Sequence, residues 1–164
     1  MKAGIFYYSF SGNTKKVAEM TVPLLAARHY EVYINKIEPR YEASTFTAQC
    51  AWALCRYRTG LVNFYQPETL DLLIVGTPVW AFNPAPPVVR FLKQLKPSVA
   101  RKALLIVTYG SGVGKERCVQ VMEEWCRKKS IPVREVLYIQ EKLLRHPEKL
   151  TPLVTAALEK AHAA

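Results

Sequence analysis

The sequence predicts a single α/β domain built on a doubly wound, five-stranded parallel sheet with helices on both faces. Three observations carry that reading. Apolar, strand-like runs recur at 3–8, 31–37, 70–76, 103–108 and 132–139. Helical patterns at 14–28, 85–95, 115–129 and 148–162 fall between most of them, and strand alternating with helix implies parallel pairing. Two runs, Leu70-Asp71-Leu72-Leu73-Ile74-Val75 and Ala103-Leu104-Leu105-Ile106-Val107, are nearly continuous in apolar character, as central strands covered on both faces are. A chain of 164 residues is one domain, 1–164, with enough length for one large core.

The first run, Ile5-Phe6-Tyr7-Tyr8, stops abruptly at Ser9-Phe10-Ser11-Gly12-Asn13-Thr14, and Lys15-Lys16-Val17-Ala18-Glu19 open a helix. A helix that follows a strand so closely leaves its first N–H groups unpaired and pointing back at the loop. Four hydroxyl or amide side chains and one glycine crowd that spot, which suits a phosphate held by neutral donors and a helix dipole. The spacing is not G-x-G-x-x-G, because Gly4 and Gly12 are too far apart. Nor is there a Walker loop: Gly110-Ser111-Gly112-Val113-Gly114-Lys115-Glu116 has the wrong glycine spacing and no hydroxyl after the lysine.

After the second strand, residues 39–68 fit no simple alternation. Thr45, Ala48, Gln49, Ala51, Trp52, Ala53, Leu54, Arg56 and Tyr57 suggest a helix over 44–59, with Gly60 as its C-terminal cap. Leu61-Val62-Asn63-Phe64-Tyr65-Gln66-Pro67 reads as an aromatic loop. The third strand leads into Gly76-Thr77-Pro78-Val79-Trp80-Ala81-Phe82-Asn83-Pro84-Ala85-Pro86-Pro87, a rigid loop whose last prolines suit a helix entry. The fourth leads into Thr108-Tyr109-Gly110-Ser111-Gly112-Val113-Gly114-Lys115, where glycines permit close backbone approach. The C-terminal helix ends in an alanine-rich tail that frays toward Ala164.

These loops carry a resemblance. Aromatic-x-Ser-x-Ser-Gly-Asn-Thr followed by x-x-x-Ala resembles the phosphate-binding loop of the flavodoxin family, which holds the monophosphate of FMN. The match runs through Ile5, Phe6, Tyr7, Ser9, Gly12, Thr14 and Ala18. It departs at Thr21, where the family prefers an aliphatic residue, at a position expected to face the sheet. Residues 76–87 resemble the family's second flavin loop, and 108–115 its third. The resemblance implies strand order 2-1-3-4-5, with the ligand at the carboxyl ends of the strands beside strand one. It implies FMN as cofactor, its phosphate held by Ser9, Phe10, Ser11, Gly12, Asn13 and Thr14. Thr77, Pro78, Val79, Trp80, Ala81 and Phe82 would run beside the ring, with Trp80 stacking on it. Thr108, Tyr109, Gly110 and Gly112 would meet its pyrimidine edge, with Tyr109 over the other face. The sequence offers no catalytic or metal site besides. His29, His146 and His162 are far apart, the four cysteines form no C-x-x-C pair, and Ser111 does not match G-x-S-x-G.

Charge and composition bound the function. The chain carries +10 net charge, Asp71 is its one aspartate, and the basic surplus lies mostly beyond residue 90. Electron-carrying flavodoxins are typically acidic, so this chain departs from them, and a basic surface steers toward acidic partners or anionic small molecules. The basic residues are scattered rather than striped, so nucleic acid is not an expected partner. No apolar run approaches the ~18–20 residues of a membrane span, and a strand near residue 1 leaves no room for a signal peptide. A cytoplasmic protein with reduced, packed cysteines is expected. The functional expectation is an FMN-binding redox protein. It would be an electron carrier served by a redox partner protein, or an FMN-dependent NAD(P)H oxidoreductase with a substrate pocket from Trp52, Tyr57, Phe64 and Tyr65. Residues 39–68 could also bury themselves in a homodimer. The alternative is a non-catalytic module that has lost FMN and binds an acidic protein or an anionic ligand. Loops 77–83 and 108–114 hold no acid and Lys115 follows directly, which predicts a flavin reduction potential above that of acidic flavodoxins.

Overall fold

The computed structural model describes residues 1–55, 59–62 and 64–163. The elements in order are β1 (Lys2–Tyr7), α1 (Asn13–Ala26), β2 (Glu31–Lys36), α2 (Phe46–Leu54), β3 (Leu72–Trp80), β4 (Asn83–Pro84), α3 (Pro86–Gln94), β5 (Ala103–Tyr109), α4 (Lys115–Lys128), β6 (Val133–Gln140), a 3₁₀ turn (Glu141–Arg145) and α5 (Pro147–Ala163). The main sheet runs β2-β1-β3-β5-β6, every pair parallel, which is the expected 2-1-3-4-5 order once the two-residue β4 is set aside. Ile5 pairs with Ile34 on one side and Ile74 on the other, and Ile74 in turn pairs with Leu104.

Strand side chains alternate between two separate cores. Leu73, Val75, Leu105 and Val107 pack against Val88, Phe91 and Leu92 of α3 and Cys118, Val119, Met122 and Cys126 of α4. Leu72, Ile74, Leu104 and Ile106 pack against Val17, Ala18 and Leu25 of α1 and Leu150, Val154, Leu158 and Ala161 of α5. A strand buried on both faces has no polar position to offer, which is why 72–75 and 103–107 read as unbroken apolar runs. The buried residues of α1 (Thr14, Val17, Ala18, Thr21 and Leu25) recur at helical spacing. Thr21 faces inward, and its hydroxyl donates to the Ala18 carbonyl at 2.6 Å.

Three differences from the sequence reading have local causes. β3 does not end at residue 76 but continues to Trp80, which pairs with Asn83 across a two-residue turn. Ala81 and Phe82 take φ of 45° and 66° there, the left-handed geometry a tight hairpin needs, in a sequence without the usual glycine. α2 is shorter than 44–59, starting at a Thr45 cap whose hydroxyl accepts from the Ala48 amide. Arg56, Tyr57, Asn63 and Ala164 lie outside the described residues. Gly60 is not a helix cap: its carbonyl accepts from the Arg40 amide at 2.7 Å, beside a bridge between Pro39 and Leu61. Residues 38–62 therefore leave and rejoin the body of the domain through an antiparallel neck.

All four cysteines are free, and Cys118 and Cys126 are buried on the inner face of α4. Burial, with Glu123 adding to it, pushes the Cys126 thiol up to about 12 from an ordinary 9.0. Below pH 9.0 the thiol is neutral folded or unfolded; above it only the unfolded chain releases the proton, so this contribution to stability is lost as pH rises toward 12. Urea titrations should show stability falling as pH climbs through that window, with a shallower fall in Cys126→Ala. In the same assay Leu104→Ala, at a side chain buried on the α1–α5 face, should cost about 2–5 kcal/mol.

Candidate functional site

The loops after β1, β3 and β5 meet at the carboxyl edge of the sheet and enclose a cavity of about 670 Å³. Ser9, Phe10, Ser11, Asn13 and Thr14 come from the first loop, Pro78 to Phe82 from the second, and Thr108, Tyr109 and Gly110 from the third. Of the residues expected to hold the cofactor, all line the cavity except Gly12, Thr77 and Gly112, which belong to the same three loops.

The first loop is built around Gly12, whose φ of 86° turns the chain into α1. That helix has no side-chain cap, so its leading N–H groups face the cavity without a side-chain acceptor. Ser9 lines the cavity too, and its Oγ is buried without a hydrogen-bond partner among the described residues. An orphaned buried hydroxyl beside an uncapped helix start offers neutral donors of the kind that suit an anion. Thr14 plays a different part: its hydroxyl lies 2.8 Å from that of Thr108, both side chains buried, and so ties α1 to the end of β5.

Thr77 is also structural. Its hydroxyl donates to the Pro78 carbonyl and accepts from the Ala85 amide, each at 3.0 Å, which closes the base of the second loop. Trp80 is 2% exposed. The edges of Tyr8, Phe10 and Phe46 meet it at centroid distances of 5.3, 6.1 and 6.3 Å, so it forms a fixed wall and not a free-standing platform. Tyr8 donates a hydrogen bond to the Glu42 carboxylate, pinning the start of the 38–62 excursion, and burial with this acceptor holds its hydroxyl well above the usual phenol range. Phe82 sits over Gly114, where any Cβ would fall 2.9 Å from the Phe82 Cα; this locks the second loop onto the third.

Sequence reasoning did not single out Ser111 and Val113 of the third loop, and it missed three contributors from outside the loops. Phe46 and Cys50 reach the cavity from α2, while Phe64, proposed for a pocket, instead packs against Phe91 in the core at 5.8 Å, and Tyr65 lines clefts elsewhere. Burial pushes the Cys50 thiol up, only partly offset by the Ala81 backbone, so it stays protonated at neutral pH. Glu141, from the turn after β6, lines the cavity beside Gly110, whose carbonyl accepts from Gln140 at 3.2 Å. The loops themselves hold no acid, yet the site has one. Lys115, whose charge entered the expectation of a raised flavin potential, leans over the Tyr109 ring at 5.0 Å and pairs with Glu116 at 3.4 Å. No Lys or Arg is among the described residues lining the cavity, and no cluster of metal-ligating side chains occurs among the described residues.

No protein-family model matches the chain. It is 28% identical over 149 residues to an uncharacterized protein of Archaeoglobus fulgidus, across 89% of this chain and 91% of that one. Among solved structures, a flavoprotein from Lactobacillus acidophilus NCFM in complex with FMN superposes with a TM-score of 0.63, at 22% identity over 88% of this chain and 96% of that one. Oxidised flavodoxin 2 from Bacillus cereus gives 0.67, at 19% identity over 100% of both chains. The fold is flavodoxin-like, and the loops after β1, β3 and β5 line the cavity at the carboxyl edge of its sheet. Among the described residues no helix is long and apolar enough to cross a membrane.

Two outcomes follow from this packing. Thr14→Val strands the Thr108 hydroxyl in a buried site and should cost about 1–3 kcal/mol, whereas adding Thr108→Val should cost little more. A double-mutant cycle in urea reads that coupling. Gly114→Ala demands a left-handed alanine against the Phe82 backbone and should destabilise by at least about 1 kcal/mol.

Proposed function

We propose that this protein binds FMN in the cavity and works in redox chemistry. The carrying observation is the unpartnered, buried Ser9 Oγ beside the uncapped start of α1, a part of the cavity wall equipped for a phosphate. Ser9, Ser11 and Asn13 with the first α1 amides would take the phosphate, and Trp80 and Tyr109 supply aromatic walls for a planar ring. The third-loop backbone at Gly110 would meet its polar edge. FMN, when bound, supplies the electron transfer; the protein supplies position and local electrostatics. The fold shared with the FMN complex from Lactobacillus acidophilus supports the same reading.

The mouth of the cavity bears on how electrons leave. Phe10, Phe46, Phe82 and Val113 are 39%, 56%, 47% and 65% exposed, and all four line it. A rim so apolar fits a carrier that docks an apolar patch of a redox partner, or an enzyme that admits an uncharged substrate. Glu141 modifies the expected potential: a carboxylate at the third loop disfavours an anionic reduced flavin and offsets the effect of acid-free loops.

The test is an absorption spectrum of the purified protein, then FMN titration followed by tryptophan fluorescence. Flavin bands, or saturable quenching by FMN but not by riboflavin, support the proposal. Ser9→Ala should weaken FMN on the order of tenfold and leave the fold intact. A colourless protein without quenching sinks the proposal and favours the module that binds an acidic partner or anionic ligand. With FMN bound, NAD(P)H oxidation separates enzyme from carrier.

A further inference from the structure

The basic surplus of the chain has no role at the cavity just described, and part of it converges elsewhere. A second cleft, of about 410 Å³, lies between α3 and α4, with Asn83 and Pro84 of the β3–β4 hairpin at one end. Val89, Val121 and the Trp125 indole give it apolar walls. Arg90 and Lys93, three residues apart on α3, present their heads on one helical face. The Lys93 Nζ lies 4.8 Å and the Lys128 Nζ 4.6 Å from the Trp125 ring centroid.

Two ammonium groups on one indole each gain from its π face, but they repel one another. An anion within reach of both offsets that repulsion. Glu124 is the one acid among the described lining residues, and it already bonds Lys128 at 2.6 Å. Neither Arg90 nor Lys93 has an ion-pair partner among the described residues. Among the described lining residues, three cations against one carboxylate leave a positive excess that matches in size the roughly −1.5 to −2 charge of a phosphate monoester at neutral pH. A carboxylate would balance only half of it. The volume falls within the range of roughly 300–1,000 Å³ typical of small-molecule sites, and the apolar walls exceed what a bare inorganic ion can use.

We propose that this cleft binds a phosphorylated aromatic small molecule of about mononucleotide size. The phosphate lies among Arg90, Lys93 and Lys128, and the ring lies against Val89, Val121 and Trp125. The site is separate from the flavin-sized cavity and stands whether or not FMN binds there. Its position against the β3–β4 hairpin means that its ligand touches the element that carries Trp80 and Phe82.

The test is isothermal titration calorimetry on the full chain at low salt, with 5′-AMP, adenosine and inorganic phosphate as probes. 5′-AMP should bind on the order of tenfold tighter than either fragment, because the site uses both charge and apolar contact. Arg90→Ala and Lys93→Ala, both exposed helix positions where alanine preserves the fold, should each weaken 5′-AMP several-fold, and added salt should weaken it further. Ser9→Ala should leave it unchanged. Inorganic phosphate binding as tightly as 5′-AMP, or adenosine doing so, overturns the proposal. So does a pattern in which Ser9→Ala abolishes binding and Lys93→Ala does not, which would place 5′-AMP in the first loop instead.

Discussion

Burial of both faces of β3 and β5 is the constraint on which the rest of the structure depends. Leu72 to Val75 and Ala103 to Val107 send alternate side chains into two cores, and each core needs its own pair of helices. Parallel strands can be joined only by crossovers, and because these are right-handed the covering helix changes face where the direction of winding reverses, so α1 lies on one face and α3 and α4 on the other. Between β1 and β3 the direction of winding reverses. The loops after β1 and β3 therefore splay apart at the carboxyl edge and open a crevice that no core side chain fills. The cavity is thus a consequence of how the hydrophobic cores are covered.

What keeps that crevice in shape is a set of polar groups spent on one another. Thr14 with Thr108, and Thr77 with the Ala85 amide, are closed pairs, so their conformations are fixed without any ligand. The left-handed Ala81 and Phe82 carry backbone strain on the order of 1–3 kcal/mol each. The seating of Phe82 on Gly114 and the aromatic packing of Trp80 offset it. Against this background of satisfied groups, Ser9 Oγ and the first amides of α1 stand out as the polar atoms left over. A preorganised wall with one unspent set of donors binds an anion without having to order itself first.

Some of this was legible in the sequence and some was not, for definite reasons. The central strands and the first loop could be read because each signal is local: an unbroken apolar run, or hydroxyls and a glycine packed between a strand and a helix. The extension of β3 to Trp80 was hidden because its hairpin turns on Ala81-Phe82 rather than on glycine or asparagine. The contributions of Phe46, Cys50 and Glu141 were hidden because they depend on where the 38–62 excursion and the end of β6 come to rest. No spacing rule reports that. For the same reason the pairings of Thr14 with Thr108 and of Thr77 with the Ala85 amide could not be read from the sequence. The cleft at Trp125 is the extreme case, since Lys93 and Lys128 meet only once α3 and α4 lie side by side.

The carboxyl edge of the sheet is proposed as a preformed site for a phosphate-bearing planar ligand. A crystal structure of the protein grown with FMN tests it most directly. The account predicts the phosphate within hydrogen-bond reach of Ser9 Oγ and the leading amides of α1, the ring against Trp80, and the Thr14–Thr108 pair unchanged. An FMN phosphate bound away from that helix start, or a site that forms only after the Thr14–Thr108 contact breaks, would contradict it.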